Sequence, residues 1–279
     1  MAGGDKLNPQ LIGMSYNSAR DELFLADHVN EVVRAIRARE TAGDLRDVYR
    51  APHDLQLFVW SVCHMSDSDT LLVCSGEIGC KEESNKDGGN WLVALSRNGS
   101  EWREAQRVHT DGIGHISCAL SDSRVLIGYD GNLITSPYEY MELFRVESPW
   151  FRGKRIARVH RIHVPKKYYT FSATCGSDTL VAMSYENDNS VRLHRLRGDR
   201  LEELARIQLK NPTHLLWLAD RLLVADFDSE NQSHAVIELE VCDTRLERRR
   251  ERHRQLIATS ENINQCERFL CSERRRRNL

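Results

Sequence analysis

Residues 171–184 read FSATCGSDTLVAMS: an apolar run, a Gly176-Ser177-Asp178 turn and a second apolar run. Runs this short have the usual length of a strand. Ser and Asp side chains bond back to their own backbone and fix such turns. The stretch therefore predicts a β-hairpin. The same layout occurs in IGMSYNSARDELFLAD (12–27), VWSVCHMSDSDTLLVCS (59–75), ISCALSDSRVLIGY (116–129) and LLWLADRLLVAD (215–226). Anchored on Ala26, Cys74, Gly128, Met183 and Ala225, the copies lie 48, 54, 55 and 42 residues apart. A period of this size marks an array of supersecondary units.

A third strand-like run follows each hairpin, at 32–36, 91–95, 142–146, 191–196 and 235–239. A fourth, more charged run follows at 45–50, 102–109, 155–164, 201–209 and 254–259. Charges alternating with apolar residues suit an outer strand with one wet face. Residues 29–42 have the length of a helix, but Val32-Val33 and their place after the Leu-Phe-Leu-Ala-Asp run predict a strand. Four short strands per unit, apolar within and charged without, is the pattern of a β-propeller blade. One blade cannot bury its own faces; stacked blades can. The expected fold is all-β: a single propeller over residues 1–279, with five four-stranded blades and a partial sixth opened by Cys266-Glu267-Arg268-Phe269-Leu270-Cys271. A ring must close, either by pairing the two ends of the chain or with a second chain or missing segment.

The 279 residues carry a formal charge of -2, with 41% hydrophobic and 29% charged residues. That mix supplies a large core and excludes a disordered, collagen-like or wholly basic chain. The first ten residues form no apolar signal region, and no uncharged apolar stretch reaches the length of a membrane span. Among the eight cysteines, Cys63, Cys74, Cys118 and Cys175 sit in apolar runs and read as buried free thiols. A secreted disulfide scaffold is shorter and denser in cysteine. The expected location is cytoplasmic or nuclear, and no membrane partner is expected.

The segment LFLADHVNEVVRAI (23–36) resembles the repeat of NHL-type and YWTD-type propellers through Ala26, Asp27, Asn30, Val33 and Arg34. LLVADFDSENQSHAVIEL (222–239) keeps Ala225 and Asp226, and MSYENDNSVRL (183–193) keeps Asn189, Val191 and Arg192. The other two blades match only as hydrophobic pattern, and no blade ends in Trp-Asp as WD repeats do. The resemblance implies a ring scaffold that binds peptides or, in some NHL proteins, single-stranded RNA. It transfers no chemistry.

The sequence contains no Gly-x-Gly-x-x-Gly, Walker, His-Glu-x-x-His or Gly-x-Ser-x-Gly motif. Some calcium-dependent lactonases are propellers, and Asp27 and Asp226 occupy equivalent positions. A turn-capping role explains these two acids more simply. His160 with His163, and Cys266 with Cys271, lack the spacing of a zinc knuckle. No cofactor and no metal are expected. A basic and aromatic group spans Trp150, Phe151, Arg152, Lys154, Arg155, Arg158, Arg161, Lys166 and Lys167. The long link before it carries Tyr138 and Tyr140. Arginine beside tyrosine or tryptophan suits a protein or peptide partner on one rim. It also suits single-stranded RNA, through charge and stacking. The plainer reading is a wet outer strand with core aromatics at its ends. Two arginine-rich stretches, 244–254 and 274–279, read as a charged loop or solvated helix and a basic tail. The expected function is a non-catalytic protein-interaction scaffold.

Overall fold

The structure is a computed structural model. It describes residues 11–255 except 38–39, 41–43, 53–57, 77–88, 111, 113, 121–122, 130–139, 148–154, 165–167, 169, 186–187, 219–220, 229, 232 and 243–244.

Each hairpin read from the sequence grows into a four-stranded antiparallel sheet. Blade one is β1 (Leu11–Asn17), β2 (Glu22–Asp27), β3 (Val32–Arg37) and β4 (Arg46–Arg50). Blade two is β5 (Phe58–Met65), β6 (Thr70–Gly76), β7 (Asn90–Asn98) and β8 (Glu101–Thr110). Blade three is β9 (Gly114–Ala119), β10 (Arg124–Tyr129), β11 (Tyr140–Glu147) and β12 (Arg155–His163). Blade four is β13 (Thr170–Cys175), β14 (Thr179–Tyr185), β15 (Ser190–Arg197) and β16 (Arg200–Gln208). Blade five is β17 (Pro212–Leu218), β18 (Arg221–Asp228), β19 (Ser233–Cys242) and β20 (Arg245–Gln255). In every blade the strands pair in chain order. The five sheets are arranged as a β-propeller.

Stretch 32–37 is strand β3, as its Val-Val pair predicts. Stretch 245–255 is also a strand, which corrects the expected arginine-rich loop at 244–254. It is the outer strand of blade five, a place expected for 254–259. Its alternation is hidden because arginine and glutamate stand where other outer strands carry apolar residues. The tail 274–279 and the expected opening of a sixth blade at 266–271 lie outside the described residues.

The core is divided among the junctions. Phe24, Ala26, Val33 and Ala35 of blade one pack on Val62, Leu71, Val73 and Val93 of blade two. Cys74 and Leu92 meet Ile127 and Phe144 between blades two and three. Leu126 and Met141 meet Phe171 and Met183 between blades three and four. Ala182 and Val191 meet Leu222, Val224 and Ile237 between blades four and five. Burying each of the Val, Leu, Ile, Phe and Met side chains among them contributes about 1.5–3 kcal/mol. The side chains of Cys63 and Cys74 are buried, and that of Cys118 is partly buried.

Small polar residues on the innermost strands join the blades. The His64 N–H donates to Ser15 Oγ at 2.8 Å. Ser61 Oγ donates to the Gly114 carbonyl at 3.4 Å. Cys118 lies against Ser172 and Ala173. Trp217 donates from its backbone N–H to Ser172 Oγ at 3.3 Å, and from Nε1 to the Ser172 carbonyl at 3.1 Å.

Every outer strand carries one irregularity. Register slips between Val33 and Arg34, Ala94 and Leu95, Leu143 and Phe144, Leu193 and His194, and Glu238 and Leu239, each against the fourth strand. A bulge adds twist to a strand and makes its edge a poorer template for stray pairing.

Candidate recognition surfaces

The expected rim cluster lies on blade three. Tyr140 begins β11, and Arg155, Arg158 and Arg161 lie on β12. Tyr138, Trp150, Arg152, Lys154, Lys166 and Lys167 lie outside the described residues. In a regular strand, residues three apart face opposite sides. Here Glu142 pairs with Arg161 and Phe144 with Arg158, because the bulge takes up Val159. Both arginines therefore reach one face. Arg158 Nε lies 3.0 Å and Arg161 Nη2 3.6 Å from Oε1 of the buried Glu142. Arg161 also stacks on the Tyr140 ring at 4.4 Å, and Arg158 lies over Phe144 at 5.8 Å. Two guanidiniums thus compensate a buried carboxylate, which would otherwise carry a large desolvation cost. They keep an outward side as well: the Arg161 side chain is 49% exposed.

Asp27 and Asp226 are engaged by their own blades. The Asp27 carboxylate accepts hydrogen bonds from the Asn30 backbone N–H at 3.3 Å and from Asn30 Nδ2 at 2.9 Å. Arg34 Nη2 lies 3.1 Å from it. The Ala-Asp, Asn and Val-Arg letters are thus the parts of one β2–β3 turn. Asp226 accepts the backbone N–H groups of Lys210 and Asn211 at 3.2 and 2.6 Å. Among the described residues, no group of three or more His, Cys, Asp or Glu is placed to hold a metal ion. His160 and His163 both lie on β12.

A polar group not anticipated from the sequence sits at the junction of blades one and two. His64 Nε2 lies 3.1 Å from Asp69 Oδ1 and 3.2 Å from Asn17 Nδ2. Arg20 reaches Asp69 at 3.3 Å. Burial pushes the Asp69 carboxyl up, but the bond from His64 and the charge of Arg20 outweigh it and hold the group below the usual carboxylate range. The ring of Phe24 stacks on His64. Nothing in the local sequence marks this group, because its members come from two hairpins.

Burial pushes the Cys74 thiol up to about 11, which leaves it unreactive near neutral pH. No helix among the described residues is long and apolar enough to cross a membrane.

No family model matches the chain, and no curated protein does. Solved structures do match. A chain of the nidogen/laminin complex superposes with a TM-score of 0.55 at 10% identity, over 88% of this chain and 81% of that one. A protein from Lactobacillus plantarum gives 0.55 at 10% identity, over 89% and 73%. A chain of the mitotic checkpoint complex gives 0.53 at 7% identity, over 87% and 79%. The likeness is one of fold. It selects no NHL-type or YWTD-type membership, because the matching letters fill one turn and not the array.

Proposed function

We propose that the chain is a non-catalytic scaffold that binds a peptide or protein surface on one rim of the propeller. The observation that carries this reading is the Tyr140–Arg161 pair: a stacked cation and ring at 4.4 Å, with the guanidinium half open to solvent. Arg and Tyr dominate binding energy at protein interfaces. A guanidinium already held by Glu142 and Tyr140 loses little freedom when a partner carboxylate arrives. Arg155, exposed at the start of β12, adds a further positive charge on the same strand. An acidic peptide is the ligand that suits this surface.

The test is purification of the tagged full chain with and without ribonuclease across a salt series, beside Tyr140→Ala and Arg155→Glu. Defined proteins that survive ribonuclease and are lost from both variants support the scaffold. RNA crosslinked to the wild type, lost steeply with salt, replaces it with single-stranded RNA binding. Partners retained by both variants overturn the rim as the binding surface.

A further inference from the structure

The sequence contains one Asn-Gly dipeptide, Asn98-Gly99. It lies where β7 turns into β8. Asn98 pairs with Glu101 at the end of that ladder, so Gly99 and Ser100 alone form the turn. Gly99 has a φ of +64°. A two-residue hairpin with glycine in first place at positive φ is a II′ turn, whose twist matches its strands. A Cβ on Gly99 would meet nothing within 4 Å. Asn98, Gly99 and Ser100 are all exposed. The dipeptide is held by its own turn and not by packing.

Two reactive groups are left unengaged there. Among the described residues, neither the Asn98 side-chain amide nor the Gly99 N–H has a hydrogen-bond partner. Other asparagines at turns are engaged. Asn17 accepts the Ala19 N–H at 3.1 Å, Asn30 donates to Asp27 at 2.9 Å, and Asn231 donates to Asp228 at 2.8 Å.

The backbone nitrogen after an asparagine can close a five-membered ring on the side-chain carbonyl carbon. Glycine in that next position has no side chain to block the approach and the widest backbone freedom. Water or hydroxide takes the proton of the Gly99 N–H. The nitrogen bonds to Asn98 Cγ, the Cγ–Nδ2 bond breaks, and ammonia leaves. One water then opens the cyclic imide. Opening at the side-chain carbonyl gives aspartate. Opening at the main-chain carbonyl gives isoaspartate, in which the chain runs through the former side chain. The sum is amide plus water giving carboxylate plus ammonium. Ring closure needs the Asn98 backbone to rotate, and an unpacked pair at the end of a ladder opens at low cost.

The same turn holds a contact between blades. Arg97 donates from Nε to the Gly99 carbonyl at 3.1 Å and from Nη1 to Glu22 of blade one at 2.9 Å. Isoaspartate puts an extra methylene into the main chain just before Gly99, so that carbonyl moves and Arg97 loses a support. The new carboxylate also stands opposite Glu101, and like charges directly opposite destabilise a strand pair.

We propose that Asn98-Gly99 is a self-acting modification site: in the folded protein it converts to isoaspartate and aspartate, and the isoaspartate form loosens the tie between blades one and two. The change adds one negative charge to the chain and needs no reactant but water. It goes beyond the binding role proposed above and does not depend on it.

The test holds the folded full chain at pH 8.5 and 37 °C beside Asn98→Gln, whose longer side chain must close a larger ring. Peptide mapping should show residue 98 passing from amide to acid mass before any other asparagine, in two separable forms. The conversion should be slower at pH 6.0, because the attacking nitrogen must lose its proton. Asn98→Gln should stay unmodified. Ion exchange collects the product by its added charge, and the map confirms its isoaspartate. That product should have a lower urea midpoint than Asn98→Asp, which carries the charge on an unaltered main chain. Three outcomes overturn the proposal. Conversion that occurs only in urea shows that the fold protects the turn. Another asparagine converting first removes the site. Equal midpoints for the isoaspartate product and Asn98→Asp remove the link to Arg97.

Discussion

Arg97 of blade two donates a hydrogen bond to Glu22 of blade one at 2.9 Å, with both side chains nearly closed off from water. Arg46 of β4 binds the other carboxylate oxygen. One carboxylate thus ties the second and fourth strands of its blade to the next blade. Removing one partner of a buried ion pair costs about 3–5 kcal/mol, because the remaining charge stays buried. Glu22→Ala should therefore lower the urea midpoint strongly. Glu101→Ala, which removes only the exposed contact to Arg103, should leave it in place. Equal effects from the two would contradict the role given to Glu22.

Among the described residues, Gly128 is a glycine with no room for a methyl group. A Cβ there would lie 2.3 Å from Cε1 of Phe171 and 2.7 Å from the Tyr168 hydroxyl. Both rings belong to the core between blades three and four. Overpacking of this kind costs about 1–3 kcal/mol. Gly128→Ala should lower thermal stability, while Gly176→Ala, with open space around its Cβ, should not do so by steric clash. A melting temperature unchanged by Gly128→Ala would show that the junction yields freely.

A pH dependence follows from buried histidines, two of which are His194 and His28. Burial lowers the pKa of His194, against the raising effect of Glu203. Burial lowers that of His28 too, against its bond to the Val59 carbonyl. Above pH 6.5, folded and unfolded forms are both mostly neutral and these groups contribute nothing. As pH falls below 6.5, the unfolded chain takes up protons that the folded chain refuses, so stability drops. The drop ends below the folded pKa. Urea unfolding at pH 7.5 and 5.5 should show the loss, and His194→Gln should reduce it. A protein more stable at pH 5.5 would reverse the sign and refute the burial argument.

Asp27 should behave as a turn residue. Asp27→Asn keeps an acceptor for the Asn30 N–H but loses the charge facing Arg34. Asp27→Ala loses both. Stability should fall in the order wild type, Asn, Ala, with about 1 kcal/mol for the lost neutral hydrogen bond alone. Millimolar calcium should leave the melting temperature unchanged, since a ligand that binds the folded form would raise it. A rise with calcium that Asp27→Asn abolishes would restore the metal reading.

The strands were legible because their signals are local. Period-two alternation and Ser, Asp and Gly turns act within a few residues, so all five hairpins and the third strands stand where the pattern puts them. β20 was misread because its charges mask that alternation. The shared face of Arg158 and Arg161 was not legible, since their spacing of three puts them on opposite faces of a regular strand. A bulge at Val159 reverses that, and a bulge is set by pairing with β11 rather than by the residue itself.

The sequence by itself determined the repeat, the four-strand blade and the propeller class, because each blade is a chain-order meander whose hydrophobic period and turns are written in consecutive residues. Only the tertiary structure decided which carboxylates the arginines serve, and that Met14 and Leu216 are exposed while Phe24 and Leu222 are buried between blades. Those outcomes depend on contacts between residues far apart in the chain. Identical apolar strands are core or surface according to whether another sheet stands against them.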